Sequence, residues 1–173
     1  MKTKSITKIA ILTALFAIIA PIVIPFGLVP ISLSTLILCV MSAILKPKEI
    51  IISMVLYIII GLIGIPVFAS FQGGFGVLVG PTGGYLIGYI FAGFVMSLLN
   101  NIVKKKWIYI ISFLIGTIIL YVFGTVHFMF VMDMTFKESI VITVYQFVVG
   151  DLIESIIALI ICYILNKIFT NYQ

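Results

Sequence analysis

Apolar residues fill this chain in long runs, broken by single lysines or lysine clusters and by glycine or proline. A bilayer-spanning helix needs roughly 20 apolar residues, so each run reads as a candidate span. The breaks place helices near residues 6–24, 30–45, 49–65, 81–103, 107–129 and 151–169, with a shorter helix over 137–149 ahead of the last span. Pro30 and Pro81 suit first-turn positions, where the missing amide hydrogen costs nothing. Gly150 followed by Asp151 marks a break, because an aspartate accepts the free amide hydrogens of a starting helix. At 1.5 Å per residue the second and third helices cover only about 24 Å, against a hydrocarbon core of roughly 30 Å. They are expected to lie under the glycine-rich loop that follows them.

Composition agrees with the pattern. The residues are 64% hydrophobic and 9% charged, with mean hydropathy +1.41, where a soluble domain is roughly 25% charged. The 173 residues leave room for roughly five to seven spans, so a single integral membrane domain over residues 1–173 is expected. Lys2, Lys4 and Lys8 ahead of an apolar run resemble a signal peptide. Pro21 directly after Ala20, and the apolar run that continues to Val29, favour a retained first span. Cys39 and Cys162 lie inside apolar runs and read as small buried hydrophobes, with no disulfide or metal site expected.

The net charge of +5 comes from ten lysines against five acids. If the spans alternate, Lys2, Lys4, Lys8, Lys46, Lys48, the Lys104 to Lys106 cluster and Lys167 share one side, and Lys137 stands on the other. That asymmetry fits the positive-inside rule and puts both termini in the cytoplasm. It also explains the basic balance without nucleic acid. The glycine-rich loop, the turn over 26–30 and Asp151 then converge on the outer side.

Ten of the fourteen glycines fall between Gly61 and Gly93. Glycine and proline at this density stop helices, and non-helical backbone beside a bilayer survives only where protein or a water-filled cavity satisfies its amides. A pocket at the membrane edge is therefore expected. Phe68, Phe71, Gln72, Phe75 and Tyr85, with the backbone at Gly73 and Gly74, offer the aromatic walls and few polar groups of a small-molecule site. Interfacial anchoring is the plainer role of such aromatics. Asp151 and Glu154, three apart, share a helix face, and acids in an apolar segment point to a binding site. The alternative is that Asp151 only caps the helix while Glu154 reaches the headgroups. Ser32, Ser34 and Thr35 can bond a ligand or bond back to helix carbonyls.

Gly84, Gly88 and Ala92 recur every four residues, as do Ala10 and Ala14, a spacing that lets membrane helices approach closely. The glycine stripe reads as internal packing, the alanine pair as either packing or an external docking surface. Phosphate-loop, dinucleotide-binding and His-Glu-x-x-His motifs are all missing, and His127 is the lone histidine. An intramembrane aspartyl protease would need facing acids from two helices, whereas Asp133 falls in an expected loop. No enzyme activity is expected.

The stretch from Tyr57 to Gly88, above all Gly-Ile-Pro-Val-Phe-Ala at 64–69 and Gly-Gly-Phe-Gly-Val-Leu-Val-Gly-Pro-Thr-Gly-Gly-Tyr-Leu at 73–86, resembles the BioY family, biotin-specific S-components of energy-coupling factor (ECF) transporters. Val29, Pro30 and Ile31 before the second span, and Gly150, Asp151 and Leu152 at the last, extend the resemblance over nearly the whole chain. It implies a six-helix, all-α membrane fold that binds biotin from outside and has no cofactor or ATPase of its own. The implied partners are the transmembrane coupling protein EcfT and two ATP-binding cassette subunits in a bacterial plasma membrane. It further implies that Ala10 and Ala14 match an Ala-x3-Ala surface facing the coupling protein. Asp151 would accept hydrogen bonds from both ureido nitrogens of biotin. Two positions depart from the family pattern: Glu154 stands where lysine is usual, and Ser34 where glutamine is usual.

An S-component for another small ligand, a cationic one given Asp151 and Glu154, is the first rival reading, and a stand-alone transporter the second. The latter would be supported by inverted repeats with paired broken helices, and no such repeat is found.

The lysine asymmetry generates a topology test. With Lys105→Cys placed in a background lacking Cys39 and Cys162, a membrane-impermeant thiol reagent should leave intact cells unlabelled and label permeabilised ones. Strong labelling of intact cells would overturn the orientation.

Overall fold

The computed structural model describes residues 3–24, 31–103 and 107–171. The turn over 26–30, Pro30 within it, and the Lys104 to Lys106 cluster lie outside the described residues. Helix α1 (Thr3–Ile19) leads into a two-residue strand β1 (Val23–Ile24), which pairs antiparallel with β2 (Ile31–Ser32) in the register Val23 to Ser32 and Ile24 to Ile31. Helices α2 (Ser34–Ile44) and α3 (Pro47–Leu62) follow, then a 3-10 turn at Ala69–Phe71 and the short α4 (Phe75–Val79). The chain continues through α5 (Gly83–Ile102), α6 (Ile108–Met132), α7 (Phe136–Ile140), a π-helical turn at Val141–Tyr145 and α8 (Val148–Asn171).

Among the described residues three stretches are long and apolar enough to cross a membrane: Gly83–Ile102, Ile108–Met132 and Phe136–Leu165. The protein is a helical, multi-pass membrane protein.

Several boundaries differ from those expected. Helix α1 ends at Ile19 instead of 24, because Pro21 bars a helical conformation at the residue before it. Helix α2 starts at Ser34 instead of 30, since Ile31 and Ser32 are drawn into the strand pair. Helix α5 starts at Gly83, so Pro81 lies in the turn before it and Thr82 occupies the cap position. Pro81 therefore precedes its helix instead of opening it. Pro47 does open α3, and Glu49 two residues on accepts the Lys46 amide at 3.0 Å while also taking the Ser5 hydroxyl of α1.

The largest correction concerns α8. The expected break at Gly150–Asp151 is absent, and the irregularity sits earlier, at the π turn. The Asp151 amide donates to the Phe147 carbonyl at 2.8 Å. Asp151 is thus a first-turn residue and not the helix cap.

The glycine stripe packs inward as expected. A Cβ on Gly84 would stand 2.4 Å from both the Cβ of His127 and the carbonyl of Phe123, and one on Gly88 would stand 3.3 Å from Leu120 and Phe123. Ala92 is fully buried. These small residues let the α5 backbone lie against α6, the seam that fixes the ends of both helices around the site.

Substituting Gly84→Val should therefore destabilise the fold by about 1–3 kcal/mol, the usual cost of overpacking. Gly76→Ala, where nothing lies within 4 Å of an added Cβ, should change little. Thermal unfolding in detergent compares them. Equal melting temperatures for wild type and Gly84→Val would contradict the packing assigned to this seam.

Candidate functional site

Six helices and the loop after α3 converge on one pocket. It is lined by Ser32 of β2, Ser34 and Thr35 at the start of α2, Tyr57 late in α3, Phe68 and Ala69 of the loop, and Val77 of α4. Thr82 at the α5 cap, Tyr85, Leu86 and Tyr89 of α5, Leu120 and Tyr121 of α6, Phe147 before α8 and Asp151 complete it.

Asp151 is 9% exposed and anchors the polar side of the pocket. The Tyr121 hydroxyl donates to Asp151 Oδ2 at 2.5 Å, and the Thr35 side chain interacts with the same carboxylate. Tyr85 donates to the backbone carbonyl of Thr143 at 2.8 Å. Thr143 lies within the π turn, where the regular bonding of the helix is interrupted. Thr143 is held in turn by the carbonyl of Ser139 at 2.8 Å and the Thr125 hydroxyl at 2.6 Å. On the α2 side the Ser32 and Ser34 hydroxyls lie 2.5 Å apart, and both interact with the Tyr89 hydroxyl.

The apolar wall is an aromatic chain. Phe16 of α1 meets Tyr57 edge-on at 4.6 Å between ring centroids, and Tyr57 meets Phe68 at 5.5 Å. Phe68 lies over Gly61, where an added Cβ would stand 2.0 Å from its ring. The Tyr57 hydroxyl donates to the Val67 carbonyl at 3.0 Å, and the Gly74 amide to the Gly61 carbonyl at 2.7 Å. These contacts fasten the glycine-rich loop across the end of α3.

Of the residues expected at a site, Asp151, Ser32, Thr35, Phe68 and Tyr85 line the pocket. Glu154 is 5% exposed but turns away from it, accepting the Leu36 amide of α2 at 3.0 Å. It satisfies one of the free amides of a helix whose own cap position, Leu33, supplies no side-chain bond. Gln72 and Gly73 are exposed and Gly74 is half-buried, and none of the three lines the pocket. Phe71 and Phe75 also point outward, each 65% exposed. Ala10 and Ala14 lie far from the pocket on the exposed face of α1, beside Ile11, Leu15 and Ile18. Tyr57, Tyr89 and Tyr121 were not among the expected residues. Tyr85 and Tyr89 are four apart on one helix face, a signal that was available; Tyr121 sits in a uniformly apolar run and gives none.

Fold and pocket together define a multi-pass helical membrane protein with a pocket rich in aromatic side chains and carrying one carboxylate. The sequence profile of the BioY family matches residues 1–171, and the chain belongs to that family. The biotin transporter BioY2 of Lactococcus lactis subsp. cremoris is 34% identical over 98% of both chains. The biotin transporter BioY of Thermotoga maritima is 35% identical over 95% of this chain and 97% of its own. Among solved structures, the S-component for biotin from an ECF-type ABC transporter superposes with a TM-score of 0.86 at 28% identity, covering 96% of this chain and 92% of that one. These relatives are transporters and not enzymes.

Proposed function

We propose that this chain is the biotin-binding S-component of an ECF-type uptake transporter in a bacterial plasma membrane. Its six-helix architecture forms a single integral membrane domain with both termini in the cytoplasm. The observation that carries the binding reading is the placement of Asp151: a buried carboxylate, held by Tyr121 and Thr35, facing an aromatic pocket. A carboxylate accepts hydrogen bonds from both N–H groups of a cyclic urea, and aromatic walls suit the bicyclic ring that carries it. Ser32, Thr35, Phe68 and Tyr85 complete that contact surface. Gln72, Gly73 and Gly74 act through the loop that closes the pocket. Tyr121 is a positioning residue, fixing the carboxylate that the ligand meets.

Transport needs energy that this chain does not supply. In this reading EcfT docks on the α1 face bearing Ala10 and Ala14, and two ATP-binding cassette subunits hydrolyse ATP. Exposure of both alanines on a flat apolar face supports that assignment.

Calorimetry on purified protein tests the ligand, with thiamine as the cationic comparison. Asp151→Asn replaces one acceptor oxygen by an amide donor, so a ureido N–H meets an N–H. Biotin binding should weaken by about 2–5 kcal/mol, roughly 30-fold to several thousand-fold. Tyr121→Phe should weaken it less, since the carboxylate survives and only its orientation loosens. Wild-type affinity in Asp151→Asn, or a preference for thiamine, would sink the recognition mechanism.

Ala10→Trp or Ala14→Trp should impair uptake into cells while leaving biotin affinity within about twofold, because added volume on an exposed small-residue face blocks helix approach. Pull-down of EcfT and calorimetry separate the two effects. An affinity that falls in step with uptake would reassign the face to internal packing.

A further inference from the structure

Helix α2 starts at the pocket and ends at a second cleft, where α1 and α3 begin. The cleft has a volume of about 400 Å³ and is lined by Lys4, Ser5 and Lys8 of α1, Ile44 of α2, Lys46 at the α3 cap and Glu49 of α3. Lys4 and Lys8 are four apart and so share one face of α1. All three lysines are exposed, while Ser5 and Glu49 are half-buried. Glu49 offsets one of the three positive charges, and its carboxylate is already engaged: Oε2 accepts the Lys46 amide at 3.0 Å and Oε1 takes the Ser5 hydroxyl. Among the described residues the cleft is therefore left with a surplus of positive charge and ammonium donors in a concave site, the chemistry that receives a phosphate group.

The surface beside the cleft decides which phosphate fits. On each helix the charged position is followed, on the same face, by exposed apolar ones. Ile11 and Leu15 come three and seven residues after Lys8 and are 62% and 39% exposed. Ile52 and Leu56 come three and seven residues after Glu49 and are 38% and 40% exposed. A soluble anion has no use for these stripes, whereas the acyl chains of a phospholipid lie against them. Basic pockets between membrane helices hold anionic headgroups, and each lysine near the bilayer surface is worth about fivefold in affinity. Membrane orientation alone accounts for lysines at this end of the bundle, but it does not require them to converge. Lys48, two residues from Lys46, does not line the cleft.

We propose that this cleft binds the headgroup phosphate of an anionic phospholipid, with Lys4, Lys8 and Lys46 as counter-ions and the acyl chains along the apolar stripes of α1 and α3. Tyr57, the α3 residue of the pocket, stands eight residues beyond Glu49, about 12 Å at the helical rise. The lipid site is thus separate from the pocket and independent of what the pocket holds.

Native mass spectrometry of the purified protein in detergent, titrated with phosphatidylglycerol and with phosphatidylcholine of the same acyl chains, tests the site. Expected is a Kd for phosphatidylglycerol at least about tenfold below that for phosphatidylcholine. Lys4→Gln, Lys8→Gln and Lys46→Gln should each weaken phosphatidylglycerol about fivefold, Lys8→Arg should retain it, and Lys48→Gln should leave it within about twofold. Equal affinity for the two lipids overturns the inference. A loss in Lys48→Gln as large as that in Lys46→Gln does so too, because the attraction is then diffuse surface charge. Glycerol phosphate, the headgroup without tails, binding as tightly as the lipid would make this a site for a soluble anion and not for a lipid. Unchanged lipid binding in lysine variants that no longer retain EcfT in a pull-down would assign the cleft to an acidic surface of that partner instead.

Discussion

The hydrogen bond from Tyr121 to Asp151 is the contact around which the rest of the site is arranged. A carboxylate inside an apolar bundle is costly unless donors surround it, and each donor has to come from a different element. Tyr121 brings α6 and Thr35 brings α2, while Asp151 itself sits one turn into α8. That position depends on the π turn. Had α8 begun at Asp151, its carboxylate would have folded back on its own amides as a cap and been withdrawn from the pocket. Because the irregular turn lies upstream, the Asp151 amide is already bonded to Phe147 and the side chain is left free to point inward.

The same demand for satisfied polar groups shapes the opposite wall. The loop after α3 carries Ser70 and Phe71 at φ 58°, a left-handed conformation that side chains with a Cβ adopt at a cost of the order of 1–3 kcal/mol each. The strain persists because the surroundings fix the loop on both sides. Phe68 is clamped over Gly61 and against Tyr57, and the Ser70 amide donates to the Pro21 carbonyl at 3.2 Å. Phe71, forced outward by that backbone, is exposed while Phe68 is buried. Two phenylalanines three residues apart thus take opposite roles, decided by backbone and not by side-chain chemistry.

That contrast explains what the sequence could and could not reveal. The apolar runs and lysine breaks located the long helices to within five residues, because span length and hydropathy are properties of the chain read in order, whereas the short α4 was not expected and the helix expected over 137–149 ends at Ile140. Asp151 was legible as an acid in an apolar segment, and Phe68 and Tyr85 as aromatics beside a glycine-rich loop. Gln72 and Phe75 looked equivalent by the same criterion, yet the fold turns them out. The π turn has no composition of its own: Val141 to Tyr145 reads as ordinary helix, so the start of α8 was placed too late and Asp151 was weighed as a cap. Tyr121 was hidden because its partner is 30 residues away in sequence, a pairing visible only in three dimensions. Glu154 was legible as an acid but not as the acceptor for an amide of α2, for the same reason.

Spacing alone leaves a further ambiguity that the fold resolves. Gly84, Gly88 and Ala92 share with Ala10 and Ala14 a four-residue repeat of small side chains, and both repeats flatten one face of a helix. On α5 the flattened face is covered by α6, so close that an added methyl would enter the His127 side chain. On α1 it is open, flanked by exposed isoleucines and leucine, while the opposite face of the helix buries Ile9, Leu12 and Phe16. Phe16 reaches Tyr57 and Tyr89 at the pocket. Helix α1 therefore has one face packed, through Phe16, against tyrosines that line the pocket and another face exposed; the same spacing of small residues serves two different surroundings, and only the packing of the neighbouring helices tells them apart.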